Sequence, residues 1–141
     1  MIVSPLFSVV MLPARLARVA LFASILVIAA TGGLSPAQAA ELVMFESTAC
    51  PWCEAWHEEV GVIYDKTPES KILPLRRVDV DDDERPEDLN YIGPIIYTPT
   101  FVVVEGGEII GRILGYPGEA FFWQLLGEIV KKVETRQASK S

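Results

Sequence analysis

Apolar runs and polar interruptions divide the chain into elements from about residue 41 onward. "ELVMF", Glu41 to Phe45, is short and almost wholly apolar, as a buried strand is. Pro51 suits the first turn of a helix, which the pattern carries from about Trp52 to Asp65. Along it Trp56, Val60 and Ile63 recur at three- and four-residue steps, while Glu54, His57, Glu58 and Glu59 make up the polar remainder. "DKTPES" ends that helix. "KILPLRRVDV", Lys71 to Val80, reads as a second strand, and Pro74 within it points to an edge position. "DDDERPEDLNYIG" is a charged loop in which Pro86 opens a short helix.

"TFVVVEGGEIIGRILG" is the plainest pattern in the chain: two β-branched runs joined by Gly106-Gly107, a hairpin. "PGEAFFWQLLGEIVKKV" is helical, with Phe122, Leu125, Leu126, Ile129 and Val133 on one face and Lys131 and Lys132 near the negative end of its dipole. "ETRQASKS" is polar and expected to fray. The order is strand, helix, strand, short helix, strand, strand, helix. The first three elements form a βαβ unit with parallel strands, the hairpin adds two antiparallel ones, and the result is a three-layer α/β arrangement.

The first 40 residues differ. They contain no Asp or Glu and only Arg15 and Arg18 as charges, ahead of the apolar run "VALFASILVIAA" and a helix-breaking "TGGLSPAQA". A basic stretch, a short apolar core and an A-x-A end make the layout of a secretory signal, residues 1–39, cleaved after Ala39. The run is shorter than the roughly 20 apolar residues of a membrane-spanning helix. Met11 as the start would give a tidier signal than Met1. The expected organisation is this signal, one small domain over residues 40–135 and a flexible tail over 136–141. Export implies a periplasmic, oxidising compartment in which a disulfide persists.

The 141-residue chain has a formal charge of −7; without Arg15 and Arg18, ten basic residues stand against 19 acidic ones, a charge of −9. That acidity argues against nucleic acid or an anionic membrane surface as partner.

The only cysteines are Cys50 and Cys53, flanking Pro51 and Trp52. Cys50 stands just before a helix and Cys53 one turn inside it, a spacing that lets the sulfurs meet. Free N–H groups and the positive end of the dipole favour a thiolate at Cys50, whereas Cys53 is expected to be buried and protonated. Cys50 is then the attacking thiol and Cys53 the one that resolves the mixed disulfide. Other uses compete. A staple across two residues constrains little. A zinc site needs four ligands, and His57 is the one added candidate, so no metal is assigned. A Cu(I) carrier using the two soft thiolates is the more reasonable binding alternative. His57 lies one turn beyond Cys53, where it can face the same way or be a plain surface residue.

Together, "ACPWC" after an apolar strand, then "YTPTF", "VEGGEIIGRILG" and an amphipathic last helix resemble the thioredoxin superfamily over essentially the whole of residues 40–135. The resemblance implies a minimal thioredoxin-like fold, a four-stranded mixed sheet flanked by helices in strand order second, first, third, fourth. It implies a cis Thr98–Pro99 bond facing the cysteines, with the Thr98 backbone binding an extended substrate, and it matches Gly107 and Gly115 to glycines of the family. Where cytosolic thioredoxins place a buried acid six residues before the first cysteine, this chain has Met44, with Glu46 two residues on. The secreted, short, acidic form is similar to periplasmic thioredoxins of sulfur-oxidation systems. The implied activity is thiol–disulfide exchange without a cofactor, in the reducing direction on a thiol- or disulfide-bearing protein substrate, by a monomer fed electrons by a membrane thiol transporter. A disulfide donor is the rival enzyme.

Overall fold

In the computed structural model, which describes residues 39–82 and 84–140, the run at "ELVMF" is the central strand β1, Glu41–Glu46. The expected signal lies outside the described residues except for Ala39. β1 pairs in parallel with β2, Leu75–Asp79, and antiparallel with β3, Thr100–Glu105; β4, Glu108–Leu114, closes the hairpin. The sheet order is β2-β1-β3-β4, the minimal thioredoxin-like arrangement expected. Gly106 and Gly107 turn the hairpin with φ of 61° and 79°, the left-handed backbone a two-residue turn requires.

Both central strands are buried on their two faces, which is why they read as continuous apolar runs rather than alternations. Leu42, Met44, Phe101 and Val103 point to one side and share a core with Trp56, Tyr64, Phe122, Leu126 and Val133. Val43, Phe45, Val102 and Val104 point to the other, against Leu89 and Ile92. Among the described residues, the 3-10 segment Glu87–Ile92 and Ile95 after it pack on the second side, where Pro86 led the sequence to predict a short helix.

Three details differ from the sequence pattern. The helix after Cys50 is α1, Pro51–Trp56, then a π-helical turn over His57–Gly61, then a closing turn α2, Val62–Tyr64. The extra residue in the π-turn shifts the phase, so Tyr64 is buried and Ile63 is 40% exposed. Residues Lys71 and Ile72 are not strand but the end of a short helix α3, Pro68–Ile72; Thr67 caps it by accepting from the Ser70 N–H, with Pro68 in its first turn. The strand begins only at Leu75, on the predicted edge of the sheet. The last helix α4, Glu119–Lys140, runs on into the polar segment expected to fray. Its added turns are tied to the hairpin: Glu105, 6% exposed, accepts from Arg136, Gln137 and Lys140, and Arg136 also bonds Glu108. On the apolar face of α4 Val130 is buried and Leu125 is 37% exposed.

Gly111 lets α4 lie directly on β4. A Cβ there would stand 2.7 Å from Ile129 Cγ1 and 2.9 Å from its Cγ2, and a β-branched side chain has little freedom to retreat. Gly111→Ala is expected to destabilise the fold by about 1–3 kcal/mol. Urea unfolding checks this; in the Ile129→Ala background the same substitution should cost markedly less, because the clash is gone.

Candidate active site

β1 delivers the chain to a tight turn at 47–49, and α1 begins immediately after Cys50. The thiol-bearing residue is itself the N-cap. Its Sγ accepts from the Cys53 N–H at 3.1 Å, and its carbonyl accepts from the N–H groups of Cys53 and Glu54 at 3.0 and 3.1 Å. Pro51 occupies the first helical turn, where a missing N–H costs nothing. The two cysteines are joined as a disulfide and are nearly enclosed, 7% and 3% exposed. Trp52 is 63% exposed beside them. Beneath lies Trp56, which contacts Phe101 and Phe122 with ring centroids 5.4 and 5.8 Å apart.

The Thr98–Pro99 bond is cis and leads directly into β3. Pro99 is buried and Thr98 half-buried. The loop is pinned by the Thr100 hydroxyl donating to the Tyr97 carbonyl at 2.7 Å and by the Gly115 N–H donating to the Pro99 carbonyl at 2.8 Å.

A cleft of about 270 Å³ opens beside the disulfide, lined by Cys50, Cys53, Glu46, Glu54, His57, Arg77, Asp79 and the Ser47-Thr48 turn. Trp52, Thr98 and Pro99 do not line it. Met44, six residues before Cys50, is fully buried among apolar groups. Glu46, two residues along the same strand and therefore on the same face, is the acid that reaches the cleft. His57 Nε2 lies 2.5 Å from Glu46 Oε2, Arg77 Nε donates to Glu46 Oε1 at 2.6 Å, and Arg77 Nη2 lies 3.2 Å from His57 Nε2. Burial works to raise the Glu46 carboxyl, but the hydrogen bonds and charge of Arg77 and His57 outweigh it and hold the group below the ordinary carboxylate range. Arg77 was hidden within a strand pattern, and only its register opposite Met44 in β1 places it beside Glu46.

The sign of that shift sets a pH dependence. A depressed folded-state value means that the charged carboxylate stabilises the fold above its ordinary value of 4.5, and that the contribution is lost as pH falls through the lower folded-state value. Glu46→Gln should therefore flatten the acid limb of a plot of Tm against pH, with its largest deficit at neutral pH. An acid limb as steep as that of the wild type would contradict the assignment.

Among the described residues, no group of three or more His, Cys, Asp or Glu side chains is arranged to hold a metal ion. A helix-capping disulfide follows the end of the central strand β1, at the end of the sheet where Phe45 of β1 pairs with Thr100 of β3, and makes a dithiol exchange site. The reduced periplasmic thioredoxin SoxS of Paracoccus pantotrophus is 36% identical to this chain over 66% of its length and 97% of that protein, with a TM-score of 0.60. The Malassezia sympodialis thioredoxin Mala s 13 matches at 22% identity over 67% of this chain and 80% of its own, with a TM-score of 0.54, and shares the fold. Neither a family model nor a curated protein sequence matches the chain. The chain belongs to the thioredoxin superfamily and is a thiol–disulfide oxidoreductase.

Proposed function

We propose that the protein is a periplasmic reductase of protein disulfides or mixed disulfides, with Cys50 as nucleophile and Cys53 as resolving thiol. The observation that carries the division of roles is the cap. Cys50 Sγ already accepts the Cys53 N–H, so a thiolate there meets a preplaced donor and the positive end of the helix. Cys53, 3% exposed against 7% for Cys50, is the more enclosed residue. The Cys50 thiolate attacks a substrate disulfide, forming a mixed disulfide and releasing the first substrate thiolate. Cys53 then loses its proton and attacks Cys50 Sγ; the mixed disulfide breaks, and the second substrate thiolate leaves and takes up a proton. Two electrons pass from the dithiol to the substrate. Trp52 gives the substrate an exposed apolar surface, and the Thr98 backbone before Pro99 pairs with an extended substrate segment.

The similarity to a periplasmic thioredoxin supports the compartment. The substrate proposed is a thiol-bearing carrier protein of sulfur oxidation that the enzyme, acting as a monomer, keeps reduced. A membrane thiol transporter restores the dithiol. Redox titration against glutathione tests the direction: a potential near −270 mV fits a reductase, and one near −120 mV identifies a disulfide donor instead. Stoichiometric Cu(I) uptake lost in Cys50→Ser and Cys53→Ser alike, without insulin reduction, would favour a metal carrier.

A further inference from the structure

Exchange with a protein substrate needs two parts of the chain held at a fixed separation. One is the dithiol on α1; the other is the loop before β3, whose Thr98 backbone pairs with the substrate. We propose that Glu59 and Tyr116 are positioning residues that brace these two parts against each other, so that a docked substrate chain presents its disulfide to Cys50. This inference rests on the reading of the protein as a reductase of protein disulfides.

The contacts run unbroken from the helix to the loop. Glu59 belongs to the π-turn that continues α1, the helix capped by Cys50. Its Oε2 accepts from the Tyr116 hydroxyl at 2.5 Å. Tyr116 follows Gly115, whose N–H donates to the Pro99 carbonyl at 2.8 Å. Pro99 follows Thr98. Thr100 and Leu114 are partners in the β3–β4 register, so the loops at 97–99 and 115–118 leave the hairpin at the same end. One side-chain bond and one backbone bond therefore link the dithiol helix to the substrate-pairing backbone.

Tyr116 is built as an anchor. It is buried, whereas Leu114, Pro117 and Glu119 around it are exposed. Its ring packs against Phe122 with centroids 6.2 Å apart, within the same core cluster as both cysteines. Burial, and after it the hydrogen bond and charge of Glu59, push the phenol well above its ordinary value of 10.0, so the hydroxyl stays a donor throughout the neutral range. A hydroxyl donating to a carboxylate makes one of the shorter and stronger hydrogen bonds.

Apolar packing does not supply the same constraint. Trp56 seats the helix on Phe101 and Phe122, but apolar contact is non-directional, whereas a hydroxyl–carboxylate bond has a set length and direction. The π-turn supplies the polar ties. Among the described residues, it bonds to β1 and β2 through His57, which meets Glu46 and Arg77, and to the 115–118 loop through Glu59. Release of the second tie lets the loop shift relative to Cys50. The substrate chain then docks less well, while the sulfurs and their helix cap are untouched. Weaker docking of this kind raises the half-saturating substrate concentration and leaves the limiting rate largely alone.

The test mixes reduced full-length protein with excess insulin, quenches with acid at timed intervals and counts the thiols left by alkylation. The dependence of rate on insulin concentration gives the limiting rate and the half-saturating concentration separately. Tyr116→Phe keeps the ring and removes the hydroxyl. It is expected to raise the half-saturating concentration about threefold to tenfold, with a limiting rate within about twofold of wild type. Glu59→Ala should match it, and Glu59→Gln, whose amide oxygen still accepts, should recover most of the loss. Both act through one bond, so Tyr116→Phe combined with Glu59→Ala should be no worse than either alone. Glu59 is exposed, so its variants keep the test available if Tyr116→Phe folds poorly. An unchanged half-saturating concentration in Tyr116→Phe and Glu59→Ala, or additive losses in the double variant, would overturn the brace. So would an equal slowing with 5,5′-dithiobis(2-nitrobenzoate), a disulfide with no peptide chain to dock. Wild-type protein that leaves insulin unreduced would instead overturn the proposed function, and the brace's role in docking with it.

Discussion

Cys53→Ser protein is expected to accumulate covalently joined to its substrate through Cys50. The variant retains the attacking sulfur at the helix cap and loses the one that releases it. Cys50→Ser, by contrast, should form no adduct and should lose insulin disulfide reduction by about three orders of magnitude or more, since the sulfur at the helix cap is gone and Cys53 is the less exposed of the pair. The asymmetry between the two variants is the informative result. If the roles were reversed, Cys50→Ser would be the trap. Mass spectrometry of adducts formed in the native compartment reads out direction and partner together. Finding no adduct on either variant would count against the exchange mechanism.

Trp56→Ala should cost the most stability of any single substitution considered. The indole is fully buried and touches Tyr64, Phe101 and Phe122, the rings that join the helical layer to the sheet beneath the cysteines. Removing so large a buried side chain costs about 3–5 kcal/mol. In a domain of this size each kcal/mol shifts Tm by roughly 4–8 °C, so a fall of at least about 12 °C is expected. Trp56→Phe should be far milder. The indole Nε1 is buried with no hydrogen-bond partner among the described residues, so phenyl keeps most of the packing and removes an uncompensated donor. Thermal unfolding of both variants is the check, and similar losses from the two would show that ring burial is not what holds this layer in place.

The strands were readable because both central ones are covered on two faces, which leaves continuous apolar runs, and because Gly106-Gly107 admits little but a hairpin turn. Helix α3 was obscured by the apolar Ile72 and Leu73 before β2, although Thr67-Pro68 carries an N-cap and first-turn signal. Ile63 was assigned to the core by a uniform helical period that the π-turn interrupts. The polar end of α4 carried no apolar stripe, so its helicity was invisible until Glu105 was seen receiving Arg136, Gln137 and Lys140.

Local chemistry along the chain therefore determined the dithiol, its place at a helix start and the asymmetry of its two sulfurs. Each of these depends on residues within a few positions of one another. The constellation of Glu46, His57 and Arg77 could be assembled only by the fold. Its members come from a strand, a helix and a neighbouring strand, and only the parallel register of β1 with β2 brings Arg77 to Glu46. Sequence periodicity reports which face of an element is buried. It does not report which polar groups from different elements meet at the end of a sheet, because that depends on register and crossover.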